Sequence, residues 1–104
     1  MSGELIVKSE YSDKDAKVFV SGEIDIYNAQ QFKEKIYQIV ENSTGDVSID
    51  CSGLNYMDST GLGVFVGALK KAKQDERDIH IFNIRDNIKK LFVITGLDKL
   101  FIIH

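Results

Sequence analysis

Two stretches near the N-terminus, Glu4 to Tyr11 and Lys17 to Gly22, are dense in Val, Ile, Phe and Tyr, residues that suit a pleated, half-buried surface. Ser12, Asp13, Lys14 and Asp15 between them are turn formers, so the pattern predicts an opening hairpin. From Asn28 the period changes: Ala29, Phe32, Ile36, Ile39 and Val40 recur at helical spacing, with Lys33, Glu34, Lys35 and Glu41 on the other side. Asn28 with Gln31 three residues on approaches a capping box, and Gly45 lies where a left-handed helix end is expected. Val47, Ile49 and Cys51 then alternate with Ser48 and Asp50, which predicts a strand over 46–51.

The remaining pattern predicts a second helix over about 60–74, a strand over about 79–83, a third helix over 87–95 and a short last strand over 100–103. The third helix carries Ile88, Leu91, Phe92 and Thr95 at i, i+3, i+4 and i+7, with Asp86 placed to cap it and Gly96 to end it. Strands alternating with helices require crossover connections. The expected fold is α/β, a mixed, mostly parallel sheet with an antiparallel N-terminal edge strand, packed with helices.

Composition narrows the function classes. A chain of 104 residues, 43% hydrophobic, fits one domain over residues 1–104 with a core of its own, and with no Pro and no low-complexity tract nothing marks a boundary. One cysteine, Cys51, and two histidines supply neither a disulfide framework nor a structural zinc site, and fit a reducing, cytoplasmic setting. No signal-peptide pattern opens the chain and no run of about 18 apolar residues occurs, so no membrane association is expected. A net charge of −3 argues against nucleic acid as partner. Lys70, Lys71 and Lys73 are the nearest thing to a basic cluster, and they read as a solvated helix end complementing the dipole.

Chemistry is expected where strands hand over to helices. Two such loops stand out, Gly22-Glu23-Ile24-Asp25-Ile26-Tyr27 and Asn55-Tyr56-Met57-Asp58-Ser59-Thr60-Gly61-Leu62-Gly63. Asp58, Ser59 and Thr60 are all good cap residues, so Ser59 or Asp58 has a purely structural reading as acceptor for a free N–H of the first helical turn. On the helix that follows, Leu62, Phe65, Val66, Leu69 and Ala72 form the expected buried stripe, which turns Thr60, Gly63, Val64, Gly67 and Lys71 outward. A helix-interior glycine costs about 1 kcal/mol relative to alanine, so Gly63 and Gly67 imply close approach. Either a partner's helix or loop docks on a low-relief surface beside Val64 and Ser59, or neighbouring elements of the chain itself fill the space.

A phosphoryl group on Ser59 would add roughly −1.5 to −2 charge at a helix N-terminus that tolerates anions. The fold should survive it. A docked partner would not, because like charge or desolvation of the phosphate costs on the order of 1 to 4 kcal/mol, and about 1.4 kcal/mol is a tenfold loss of affinity.

Met57-Asp58-Ser59-Thr60-Gly61-Leu62-Gly63-Val64, with Gly22-Glu23-Ile24-Asp25 before it and Leu91-Phe92-Val93-Ile94-Thr95-Gly96-Leu97 after it, resembles the anti-sigma factor antagonists, which are STAS domains. The likeness spans nearly the whole chain in register. It implies a protein that binds an anti-sigma factor with serine kinase activity and so releases a sigma factor. It implies that the kinase phosphorylates Ser59, with Thr60 as the alternative acceptor, and that a PP2C-type phosphatase reverses this. The resemblance also implies that Asp25 and Asp58 contribute to partner recognition or phosphorylation. The expected partner-binding surface is Asp25, Asp58, Ser59, Thr60, Gly61, Gly63, Val64 and Gly67. Tyr56 to Thr60 and Ile26-Tyr27 look more like the general-stress branch than the sporulation branch. With the chain reaching His104 soon after the last strand, the terminal helix of some members is expected to be short or missing.

Rival readings find less support. Ser59 as an enzyme nucleophile would need His80 or His104 as its base, and the Gly-x-Ser-x-Gly elbow is absent. Gly61, Gly63 and Gly67 are spaced Gly-x-Gly-x-x-x-Gly, which is not a nucleotide-binding fingerprint. Asp50 and Asp58 show no metal spacing, no cofactor is expected, and Cys51 reads as a buried strand thiol. The runner-up function is a phosphorylation-controlled STAS scaffold subunit of a larger signalling complex. That subunit would form a stable oligomer, whereas a free antagonist should be a monomer until its kinase is added.

Overall fold

The computed structural model describes residues 4–104. In chain order these form β1 (Ile6–Ser12), β2 (Asp15–Ile24), α1 (Ala29–Asn42), β3 (Val47–Met57), α2 (Ser59–Gln74), β4 (Ile79–Phe82), α3 (Asp86–Ile94), a 3-10 turn (Leu97–Lys99) and β5 (Ile102–Ile103). The sheet runs β1-β2-β3-β4-β5, antiparallel between β1 and β2 and parallel elsewhere, as the alternation of strands and helices requires. The opening hairpin closes through Asp13 and Lys14, with Ser12 opposite Asp15 and Asp13 left-handed at φ 57°.

One face of the sheet points Ala16, Val18, Val20, Val47, Ile49, Cys51, Ile79 and Ile81 into the core. The helices cover it with Phe32 and Ile36 from α1, Phe65 and Leu69 from α2, and Ile88 and Phe92 from α3. Phe65 is the hub: its ring lies 5.5 Å from Phe32, 5.7 Å from Phe92 and 6.3 Å from Phe101, centroid to centroid. The alternate residues Lys17, Phe19, Ser48, Asp50, His80 and Phe82 lie on the opposite face and stay at least partly exposed.

Expectations fail at several element ends. Glu23–Ile24 and Asn55–Met57 are strand rather than loop. β2 and β3 stay paired up to Ile24 and Met57 by way of two register irregularities, each placing an extra residue in β3, so that its buried positions pass from Val47, Ile49 and Cys51 to Leu54 and Met57 and its alternation is lost. Gly22 sits at the second of these with φ 96°, and a Cβ there would lie 1.9 Å from the Glu4 carbonyl oxygen. The capping box at α1 does not form, because Asn28 turns its side chain back onto Asp25 and Glu23. Asp86 is the first residue of α3, and Arg85 holds the cap position without a side-chain bond.

The end of α1 is also closed differently from expectation. Gly45 is not left-handed; instead Arg77, 6% exposed, reaches across from the segment before β4. Its Nη1 donates to the carbonyls of Val40 (3.1 Å), Ser43 (2.9 Å) and Gly45 (3.2 Å). A buried cation thus gathers the carbonyls at and just past the helix end, in the place where the helix dipole favours positive charge. At the end of α2, Lys70 is exposed, Lys71 pairs with Glu41 at 2.6 Å, and Lys73 pairs with Asp78. Gly96, left-handed at φ 76°, ends α3 as expected.

Candidate functional site

The ends of β2 and β3 lie side by side, with Glu23 opposite Tyr56 and Ile24 opposite Met57, and the Asp58 N–H donates to the Ile24 carbonyl at 3.2 Å. The two loops singled out in the sequence therefore form one surface. At its centre Asp58 caps α2: one carboxylate oxygen, Oδ1, accepts from the N–H of Thr60 (3.0 Å) and of Gly61 (3.3 Å). The Thr60 hydroxyl donates to the same oxygen. That hydroxyl, with the N–H groups of Gly61, Thr60 and Ile26, holds the Asp58 carboxyl below its ordinary value of 3.8, against the opposing effect of burial.

Ser59, first residue of α2, is exposed. It is not the cap; Asp58 is. The same carboxylate that fixes the helix start engages the Thr60 hydroxyl, and of the two candidate acceptors Ser59 is the one Asp58 does not bond through its side chain.

Asp25 organises the other loop. Its Oδ1 accepts from the N–H of Tyr27 (2.9 Å) and Asn28 (3.2 Å), while Asn28 accepts from the Asp25 N–H (2.9 Å) and donates to the Glu23 carbonyl (2.8 Å). Between Asp25 and Asn28 the chain exposes Ile26 and Tyr27, and Tyr56 on the neighbouring strand is also exposed. These three were not among the expected site residues. The signal available in sequence was two large apolar residues between an Asp and an Asn at a helix entry.

The open surface of α2 is smaller than expected. Gly63 is exposed, and a Cβ there would meet nothing within 4 Å. Val64 is 8% exposed and belongs to the core, and a Cβ on Gly67 would lie 1.7 Å from the Tyr37 hydroxyl of α1. Gly61 is buried against Met57 and Ile24. The expected single stripe misjudged α2 because this helix packs on the sheet, on α1 and on α3 together, so its buried arc is wider than one stripe and takes in Gly61, Val64 and Ala68. Of the expected surface, Asp25, Asp58, Ser59, Thr60 and Gly63 are at least partly accessible at this end of the sheet, Gly61 and Val64 are buried, and Gly67 is half-buried beside Tyr37.

The histidines lie far from Ser59. His80 bonds through Nε2 to Asp46 Oδ2 (3.0 Å) and through Nδ1 to His104 Nε2 (3.0 Å). Asp46 precedes β3, whereas Ser59 follows its other end, and an 11-residue strand spans roughly 35 Å. Neither imidazole is within reach of the Ser59 hydroxyl. Burial, aided by the Asp50 charge, pushes the Cys51 thiol up to about 12, as suits an inert core residue. Among the described residues no His, Cys, Asp and Glu cluster could hold a metal, and no helix is long and apolar enough to cross a membrane.

Residues 7–104 match the STAS domain family. The anti-sigma-B factor antagonist of Staphylococcus aureus (strain NCTC 8325 / PS 47) is 38% identical over 96 residues, 92% of this chain and 89% of the relative. An anti-sigma factor antagonist from Mycobacterium paratuberculosis superposes with a TM-score of 0.85 at 24% identity, covering 97% of this chain and 86% of that one. The anti-sigma factor antagonist SpoIIAA in its unphosphorylated form follows with a TM-score of 0.80 at 20% identity, covering 95% and 88%. With the family matched from Val7 to His104 and the sheet order and helix placement in agreement, this chain belongs to the STAS domain family.

Proposed function

We propose that this chain is an anti-sigma factor antagonist whose unphosphorylated form binds an anti-sigma factor with serine kinase activity and frees the sigma factor. Phosphorylation of Ser59 turns that binding off, and a PP2C-type phosphatase restores it. The antagonist role rests on the 38% identity to anti-sigma-B factor antagonists across nearly the whole chain, which is also consistent with the general-stress branch. The observation that carries the switch is the exposed Ser59 at the start of α2, where the cap is already made by Asp58. A phosphoryl group can therefore be added without taking a hydrogen bond from the fold, while its charge and hydration fall on the surface a partner would cover.

The same geometry favours Ser59 over Thr60 as acceptor. A kinase acting on Thr60 would first have to break its hydroxyl bond to Asp58. Incubation with ATP and the anti-sigma factor kinase of the same genome, followed by intact mass and peptide mapping, should give one phosphoryl group, on Ser59, absent from Ser59→Ala. Ser59→Asp should lose affinity for the kinase by about tenfold or more while the melting temperature stays nearly unchanged. Phosphate on Thr60 or elsewhere, or none, would remove Ser59 from this role.

A further inference from the structure

Ile26 and Tyr27 are 68% and 94% exposed, and packing within the chain gives no reason for two large apolar side chains to stand out side by side. The loop that carries them is tightly fixed. The four side-chain bonds of Asp25 and Asn28 are joined by two backbone bonds, from the N–H of Asn28 (3.2 Å) and of Ala29 (2.9 Å) to the Asp25 carbonyl. The loop is also fastened to the Ser59 surface through the Asp58 N–H, which donates to the Ile24 carbonyl.

We propose that Ile26 and Tyr27 are the anchor by which the anti-sigma factor grips this chain, seated in an apolar pocket of that protein. Asp25 and Asn28 are positioning residues that hold the anchor and are not themselves read by the partner. The inference rests on the reading above, that the Ser59 surface docks an anti-sigma factor. An aromatic and a branched aliphatic side chain already held in place lose little conformational freedom on binding, and tyrosine is among the residues that dominate interface energetics. The anchor lies next to Ser59 without including it. Grip and phosphorylation are therefore separable: the kinase holds the chain at the β2–α1 loop while the hydroxyl enters its active site. Asp25 spends one carboxylate oxygen on its own loop, and an amide oxygen at the same position accepts the same two bonds.

The test is calorimetric titration of the wild type, Ile26→Ala, Tyr27→Ala, Asp25→Ala and Asp25→Asn with the anti-sigma factor of the same genome, alongside their melting curves and Ser59 phosphorylation kinetics. Ile26→Ala and Tyr27→Ala should each weaken binding by about tenfold or more with melting unchanged. Each should raise KM for phosphorylation with kcat held, because they remove binding that is uniform along the reaction. Asp25→Ala should weaken binding and Asp25→Asn should restore it. Binding by Ile26→Ala and Tyr27→Ala within about twofold of a wild type that does bind would overturn the anchor, since an interface hot spot costs more. Asp25→Asn as weak as Asp25→Ala, both folded, would mean that the partner reads the charge, and would overturn the positioning role. A wild type that fails to bind would instead overturn the proposed function.

Discussion

Asp58 and Ser59 are neighbours with opposite duties. The carboxylate of Asp58 serves two backbone N–H groups and one hydroxyl, whereas Ser59 is exposed in the first turn of the helix. Asp58→Ala should therefore cost about 1 to 2 kcal/mol of stability, as loss of an N-cap does, while Ser59→Ala should stay within about 0.5 kcal/mol of the wild type in urea denaturation. Equal losses would mean that the cap is shared. From sequence, three consecutive cap-forming residues could not be ranked, because each can accept from the same N–H groups. What separates them is that the Asp58 carboxylate takes the N–H groups of Thr60 and Gly61 and the Thr60 hydroxyl, which depends on how the backbone enters the helix: Asp58 is extended, at φ −100° and ψ −174°.

Helix α2 shows how an element's context rewrites its pattern. Its two interior glycines look alike in sequence and differ in place: Gly63 opens to solvent and Gly67 lies under Tyr37 of α1. Gly67→Leu should push Tyr37 aside and cost about 1 to 3 kcal/mol, whereas Gly63→Leu should fold at least as well as the wild type, since leucine is the better helix former by about 1 kcal/mol. Thermal melting of the two variants separates these outcomes, and a destabilised Gly63→Leu would contradict the open site. Helices α1 and α3 were legible because each has one covered side, on which Phe32, Ile36, Ile39 and Val40 of α1 and Ile88 and Phe92 of α3 keep the helical period, with Thr95 exposed past the end of α3. The end of β3 was not, because its two extra residues opposite β2 break its alternation, and the end of β2 was not, because Gly22 interrupts the apolar positions between Val20 and Ile24. Arg77 was invisible for another reason. Its partners Val40, Ser43 and Gly45 lie more than thirty positions away in the chain, and nothing local distinguishes it from a solvated arginine.

At the scale of the molecule, the helices build one core on one side of the sheet, while the other side keeps its polar ends in water. Three carboxylates are held below the ordinary 3.8. Asp46 is held by the Asp78 N–H and then His80, Asp50 by the Ser52 N–H and then the Ser52 and Asn83 side chains, and Asp58 by the Thr60 hydroxyl and the first-turn N–H groups. A carboxyl depressed in the folded state binds its proton more readily when unfolded. Its contribution is complete above 3.8 and is lost as pH falls through the lower folded value. The melting temperature should therefore be insensitive to these groups near neutrality and decline below about pH 4, with Asp58→Ala showing a smaller acid-dependent part than the wild type. An acid decline as steep in Asp58→Ala would remove the helix cap from the account.

The order β1-β2-β3-β4-β5 means that every strand pairs with the strands adjacent to it in sequence. No strand has to wait for one translated long afterwards, and no early strand leaves a central gap to be filled from the far end of the chain. The sheet can grow by accretion as the polypeptide leaves the ribosome, each crossover helix arriving before the strand it delivers and covering the newly made apolar face. The aggregation-prone interval is thereby brief, and the one edge that advances during synthesis is always the most recently made strand.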